Sequence, residues 1–150
     1  MTESFDNVLQ RFTAAVEAGD ADGLAALFTE DGVYHDGFYG AFEGRRAIAD
    51  MIADHFWGHA EGFRWRMFDP VCDGRMGYAR YRFSYRSKLP GVEGEPVVFE
   101  GMSQFTLRDG LIACYREEFN TGVAISQLKF DPERIASHLR KKAAAVRSRE

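Results

Sequence analysis

The spacing of apolar residues in this chain changes from mainly helical to alternating near Gly58, and that change restricts the fold more than any other feature. Before it they recur at steps of three and four, the repeat of an amphipathic helix; after it they alternate, the repeat of a strand with one buried face. Phe5, Val8, Leu9, Phe12 and Val16 predict a helix over 5–16 that Gly19 ends. A second helix is expected over 21–28 with Asp20 as its N-cap, and Asp31-Gly32 is expected to turn the chain into a strand over 33–36. Gly37 and Gly40 bracket a tight excursion, after which Ile48, Ile52, His55 and Phe56 carry helical spacing across 45–57.

Strands are expected at 63–68, 78–87, 97–107 and 111–119, separated by Asp73-Gly74, a loop over 90–96, and Asp109-Gly110. They read as one antiparallel sheet. Residues 122–128 suggest a short helical cover, and Asp131-Pro132-Glu133 opens a last helix over about 132–147. Helices grouped before a sheet specify an α+β fold in which helices cover one sheet face, and a strongly bent sheet leaves a pocket between them. A length of 150 residues suits one domain over 1–150.

Function classes narrow next. The 13 Phe, 6 Tyr and 2 Trp either close-pack a core or line a cavity for a flat ligand. A net charge of −4 disfavours general nucleic-acid binding, although the segment after Phe130 carries six basic residues against three acidic ones, as a solvated helix face would. Arg80, Arg82 and Arg86 alternate with Tyr81, Phe83 and Tyr85, so the arginines fall on one strand face and the rings on the other, which argues against base stacking beside phosphate contacts. The acidic start lacks the pattern of a secretion signal and no apolar run spans a membrane, so a cytoplasmic protein without membrane or nucleic-acid partners is expected. Cys72 and Cys114 lack metal or redox spacing, and Gly58 interrupts His55 and His59, so no metal site is expected.

Residues 10–20, followed by Asp22-Gly23-Leu24-Ala25-Ala26-Leu27-Phe28 and Asp31-Gly32-Val33, resemble the opening of the SnoaL-like and ketosteroid isomerase branch of the nuclear transport factor 2 superfamily. Phe42-Glu43-Gly44-Arg45-Arg46-Ala47-Ile48 resembles its glycine-led third helix, and residues 105–112 its final hairpin. The resemblance implies a cone: N-terminal helices on a curved sheet enclosing a pocket. Asp36 matches the general base of the isomerases. Phe12 stands where they place an enolate-stabilising tyrosine and Ser103 near their protonated aspartate, so their strong oxyanion donors are replaced here. Tyr34-His35-Asp36 with Tyr115-Arg116-Glu117-Glu118-Phe119 resembles the limonene epoxide hydrolase branch, whose members hold a water with a tyrosine, an asparagine and a carboxylate. Asp36 takes the asparagine's place, and the hydrolase's arginine and aspartate pair is not evident in 78–87.

Alternation puts Tyr34 and Asp36 on one strand face, and Tyr115, Glu117 and Phe119 on one face of another. Asp36 and Glu117 are therefore expected to meet in one pocket with Tyr34, walled by Phe12, Phe105 and Phe119, with Ser103 and Tyr115 alongside and Trp57 at the rim. Two carboxylates in one apolar pocket cannot both ionise cheaply, so one keeps a proton and the pair can serve as acid and base. The expected function is cofactor-independent acid/base chemistry on a hydrophobic oxygenated small molecule, by an isomerase, dehydratase, cyclase or hydrolase. A non-catalytic ligand-binding or dimerisation module is the alternative. By the same resemblance the outer sheet face, with Met102, Gln104 and Thr106 beside the arginine row, is expected to pair two copies into a homodimer.

Overall fold

A computed structural model describes residues 4–149. The N-terminal helix α1 (Phe5–Ala18) starts where Ser4 Oγ accepts the Asn7 N–H, and ends where Gly19 adopts φ 69°, the left-handed conformation that suits glycine. Its apolar stripe, Val8, Leu9, Phe12, Ala15 and Val16, is buried. A large apolar side chain fully withdrawn from water stabilises by roughly 1.5–3 kcal/mol, so this face is what holds the helix to the sheet. The second helix α2 (Ala21–Ala25), capped by Asp20, is shorter than expected.

Strand β1 (Phe28–Asp36) begins five residues earlier than expected, because Asp31-Gly32 is not a turn between elements. It is an irregularity inside the strand: pairing with the last strand shifts register between Phe28 and Val33. A Cβ on Gly32 would lie 2.9 Å from the Phe28 Cβ, so glycine permits the chain to fold back this closely. The excursion after Asp36 is the turn of a hairpin to a strand that periodicity did not disclose, β2 (Gly40–Glu43).

The expected helix over 45–57 divides into α3 (Arg45–Asp50), a π-helical stretch over Met51–Phe56, and a last turn α4 (Trp57–His59). Such widened stretches recur at functional sites. Four long strands follow: β3 (Ala60–Cys72), β4 (Met76–Ser87), β5 (Pro96–Arg108) and β6 (Leu111–Phe119). The chain ends in α5 (Thr121–Ser126) and α6 (Pro132–Ser148), the latter capped by Asp131 with Pro132 in its first turn.

The six strands form one sheet in the order β2-β1-β6-β5-β4-β3. The four strands after Gly58 pair antiparallel, as expected, while β1 runs parallel to β6, so the sheet as a whole is mixed. Side-chain alternation is the same for a strand and its reverse, so the residue pattern carries no direction. On β4 the even-numbered Tyr78, Arg80 and Arg82 are exposed while Ala79, Tyr81 and Phe83 are buried, as alternation predicts. The α+β cone enclosing a pocket is thus present, and no helix among the described residues is long and apolar enough to cross a membrane.

Candidate active site

Parallel pairing sets Tyr34 opposite Tyr115, and two residues further each strand presents a carboxylate, Asp36 and Glu117, to the same inner face. Both line a cavity of about 450 Å³ whose walls include Phe56, Phe63, Phe83, Phe99 and Phe119. His55 and His59 from the π-helical stretch and the turn after it also face this space, as do Arg134 and His138 of α6.

The carboxylates are held unequally. Asp36 Oδ2 accepts the N–H groups of Phe38 (2.8 Å) and Tyr39 (3.1 Å), so the hairpin turn grips one oxygen and no hydrogen bond among the described residues reaches Oδ1. Glu117 is bound on both sides: Oε2 accepts the Gly37 N–H at 3.1 Å, and Oε1 accepts the Tyr115 hydroxyl at 2.9 Å and the Tyr81 hydroxyl at 3.4 Å. Tyr115 is tied in turn to Ser103, oxygen to oxygen, at 2.8 Å. Because each hydroxyl can turn its proton either way, this relay can meet Glu117 both ionised and protonated.

Burial, then the nearby charge of Asp36, pushes the Glu117 carboxyl up to about 8. Burial also raises Asp36, opposed by the Phe38 and Tyr39 N–H groups and then by Lys142 and His55. Lys142 reaches in from α6 to donate to the Gly37 carbonyl, placing its charge beside the turn that carries Asp36. Burial raises both acids, and the backbone N–H groups and the nearby Lys142 favour the charged form of Asp36 over that of Glu117. Burial, followed by Glu117, keeps the Tyr34 and Tyr115 phenols protonated.

Tyr81 reaches Glu117 by lying across the strand between them. Its cross-strand partner is Gly101, where a Cβ would sit 2.7 Å from the Tyr81 hydroxyl and 2.6 Å from the Glu118 carbonyl oxygen. Gly37 plays the same part on the other side, since a Cβ there would meet the Phe119 ring at 2.3 Å. Glycine at both positions lets rings close over the acids.

Of the residues singled out in the sequence, Tyr34, Asp36, Glu117 and Phe119 meet in this cavity. Phe12 and Phe105 do not line it. They form a fully buried layer behind it, rings 5.3 Å apart, because α1 presses them against the sheet. Ser103 and Tyr115 are buried there too and touch the site through the hydroxyl relay. Trp57 is turned away from the rim: its indole N–H donates to the Val16 carbonyl at 3.0 Å, and its ring fills the space beside Gly19.

Periodicity gave no reason to single out Trp65 or Tyr81 for the site, although alternation places both on inner strand faces. Among the described residues two buried side-chain polar atoms lack a hydrogen-bond partner, Tyr34 Oη and Trp65 Nε1, and both residues line the cavity. No group of three or more metal-ligating side chains is assembled among the described residues.

Comparison with solved structures finds this fold repeatedly. A protein of ketosteroid isomerase-like fold from Catenulispora acidiphila DSM 44928, in complex with trimethylamine, superposes with a TM-score of 0.74 at 17% identity, covering 87% of this chain and 96% of that one. A polyketide cyclase candidate from Xanthomonas campestris pv. campestris gives 0.68 at 24% identity over 81% and 94% of the two chains. A limonene epoxide hydrolase-like enzyme from M. tuberculosis gives 0.65 at 21% over 81% and 86%. At such identities the likeness is one of fold. No curated protein matches by sequence. The model of the SnoaL-like domain matches residues 9–115, most of the chain from α1 to two residues short of Glu117, and the chain belongs to the SnoaL-like domain family.

Proposed function

We propose that this protein is an enzyme that performs cofactor-independent acid/base chemistry on a hydrophobic, oxygenated small molecule, within the range of isomerases, dehydratases, cyclases and hydrolases. The observation that carries this reading is the unequal carboxylate pair in an aromatic cavity. Groups whose surroundings set their proton affinities apart divide into base and acid. Asp36, charged and with no hydrogen bond to Oδ1 among the described residues, is the base: it takes a proton from substrate carbon or from a water. Glu117, protonated, is the acid: it gives its proton to the substrate oxygen that gains negative charge. The exchange leaves Asp36 protonated and Glu117 ionised, and return of both protons restores the starting state. The epoxide hydrolase and polyketide cyclase names among the fold's relatives are compatible with this proton traffic.

Carboxyl-carbon NMR of labelled protein tests the division of labour. Glu117 should retain its proton until about pH 8 and lose it only above. If Asp36 and Glu117 both titrate in the ordinary carboxylate range, the acid/base reading falls. Asp36→Asn should then abolish turnover of any substrate recovered with the protein by native mass spectrometry, while still binding it. A ligand-binding module has no turnover to lose.

A further inference from the structure

The last helix carries Arg134, His138 and Lys142 at four-residue steps, which sets them on one helix face. That face is turned to the cavity. Arg134 and His138 line it, and Lys142 donates to the carbonyl of Gly37, the residue after Asp36. The three are not equivalent. Lys142 is engaged at the hairpin turn, and His138 is bonded to the Thr121 hydroxyl at 2.7 Å while burial, then Lys142 and Lys141, pushes its imidazole below the usual range. Arg134 is the one lysine or arginine among the described residues that line the cavity, and because it is also exposed it stands at the mouth.

The acids nearest to Arg134 in the chain are already engaged. Glu133 pairs with Arg140 at 2.6 Å, and Asp131 caps the helix, its Oδ1 accepting the Arg134 backbone N–H at 2.9 Å. The Arg134 guanidinium instead lies over the Phe130 ring, 4.2 Å from its centre, and Phe130 also lines the cavity. Stacking of this kind fixes the plane of an arginine and leaves its N–H edge to meet a carboxylate in two parallel hydrogen bonds. It also fixes a direction. Phe130 precedes α6, so the Arg134 side chain points back toward the helix N-terminus and away from Lys142. Lys142 follows Arg134 by eight residues, about 12 Å along the helix, so the guanidinium stands well apart from the turn that carries Asp36.

We infer that Arg134 is a carboxylate-binding residue at the cavity mouth, and that the ligand is a flat, apolar organic acid whose carboxylate meets Arg134 while its ring body lies among the aromatic walls. A single negative charge suits the site better than a dianionic group, because Asp36 and Glu117 line the same cavity and oppose further negative charge. The walls and a volume of about 450 Å³ suit a small polycyclic body. The subsite rests on the reading that the cavity takes a small apolar ligand, and it is independent of whether Asp36 and Glu117 carry out chemistry.

The test measures binding of 2-naphthoate and of its neutral isostere 2-naphthamide to the intact protein by calorimetry at pH 7 and low salt. The acid should bind roughly tenfold tighter than the amide, the size expected for one charge-assisted contact at a partly open site. Arg134→Met keeps an apolar stem over Phe130 and removes the charge, and should erase the preference by weakening the acid alone. Arg140→Met, the same charge change on the same helix at a residue that does not line the cavity, should leave the preference intact. Nuclear Overhauser contacts from the rings of bound 2-naphthoate to Phe83 and Phe99 should place its body in the cavity. The inference is overturned if acid and amide bind alike, if the two arginine variants reduce the preference equally, if the ring contacts fall outside the cavity, or if neither compound binds. The comparison of acid with amide and the ring contacts stand even where a variant fails to fold. A preference that depends on Arg134 beside ordinary carboxyl titrations keeps the subsite and ends the acid/base proposal, and no preference beside a Glu117 that holds its proton to about pH 8 does the reverse.

Discussion

Strand β1 carries the same acid twice in opposite circumstances, once at its internal irregularity and once at its last residue. Asp31 lies in water, 74% exposed, where the Thr29 hydroxyl and then the Arg108 guanidinium at 2.6 Å hold its carboxyl below the usual range. Asp36, five residues on, is raised by burial despite two backbone N–H groups and a lysine nearby. Desolvation outweighs hydrogen bonding at Asp36, while hydrogen bonding and a cation prevail at Asp31, where little desolvation opposes them. The proposed chemistry therefore belongs to Asp36, which lines the cavity, and Asp31 is ordinary surface.

The largest effect expected from this contrast concerns Glu117, the acid coupled to Asp36. Its carboxyl rises from 4.5 to about 8 on folding, so the folded protein binds a proton that the unfolded chain releases. A raised carboxyl contributes stability that is fully present below about pH 4.5 and is lost as pH climbs through about 8. Integrated over that window the change is on the order of 5 kcal/mol. Glu117→Gln should flatten the stability profile over these pH values and melt higher than the parent at pH 8.5. The amide can keep the contacts, its oxygen on the Gly37 N–H and its NH₂ on Tyr115, whose proton then turns to Ser103. Urea unfolding at pH 5, 7 and 8.5 reads this, and an unchanged slope in the variant would show that Glu117 titrates normally.

Much of this end of the molecule was legible before folding. Alternation along 33–36 and 111–119 places Asp36 and Glu117 on definite faces, and the resemblance brings those faces together. The sequence pattern did not disclose that β1 and β6 run parallel, since side-chain period is blind to direction. Nor did it separate cavity wall from the layer behind. Phe12 and Phe105 have the same apolar, inward pattern as Phe99 and Phe119, and only the curvature of the sheet and the position of α1 decide which rings touch empty space. Trp65 was hidden for a related reason: an inward tryptophan reads as core until its N–H is seen to lack an acceptor.

A smaller effect is expected at Gly101, which strand propensity alone would mark as a weak residue in β5. An added methyl would stand 2.6 Å from the Glu118 carbonyl and 2.7 Å from the Tyr81 hydroxyl, closer than real atoms approach. The backbone of β6 cannot yield easily, so the Tyr81 ring must swing away and release Glu117. Gly101→Ala should destabilise by about 1–3 kcal/mol, the usual range for overpacking, and Tyr81→Phe by less because only the hydroxyl goes. If alanine is tolerated without loss of melting temperature, Tyr81 does not lie across Gly101, and its tie to Glu117 falls with that placement.

The smallest effect belongs to Asp31, and its smallness is the sharper check. A depressed carboxyl contributes stability that is present above its unfolded value, 3.8, and is lost as pH falls through the lower folded value. That window lies below the one in which Glu117 acts, so the two acids separate along the pH axis as well as in space. Asp31 and Arg108 are both more than half exposed, and such a pair is weakened by solvent and by salt. Asp31→Asn keeps an oxygen for the Thr29 hydroxyl and gives up only the charge. At pH 7 in physiological salt its melting temperature should match the parent within error, and at pH 3 the curves should coincide. The slope between pH 5 and 8 that Glu117→Gln removes should remain in full. Should Asp31→Asn flatten that slope instead, the titrating group would be the exposed acid of β1, and the contrast between the two acids would have been drawn the wrong way round.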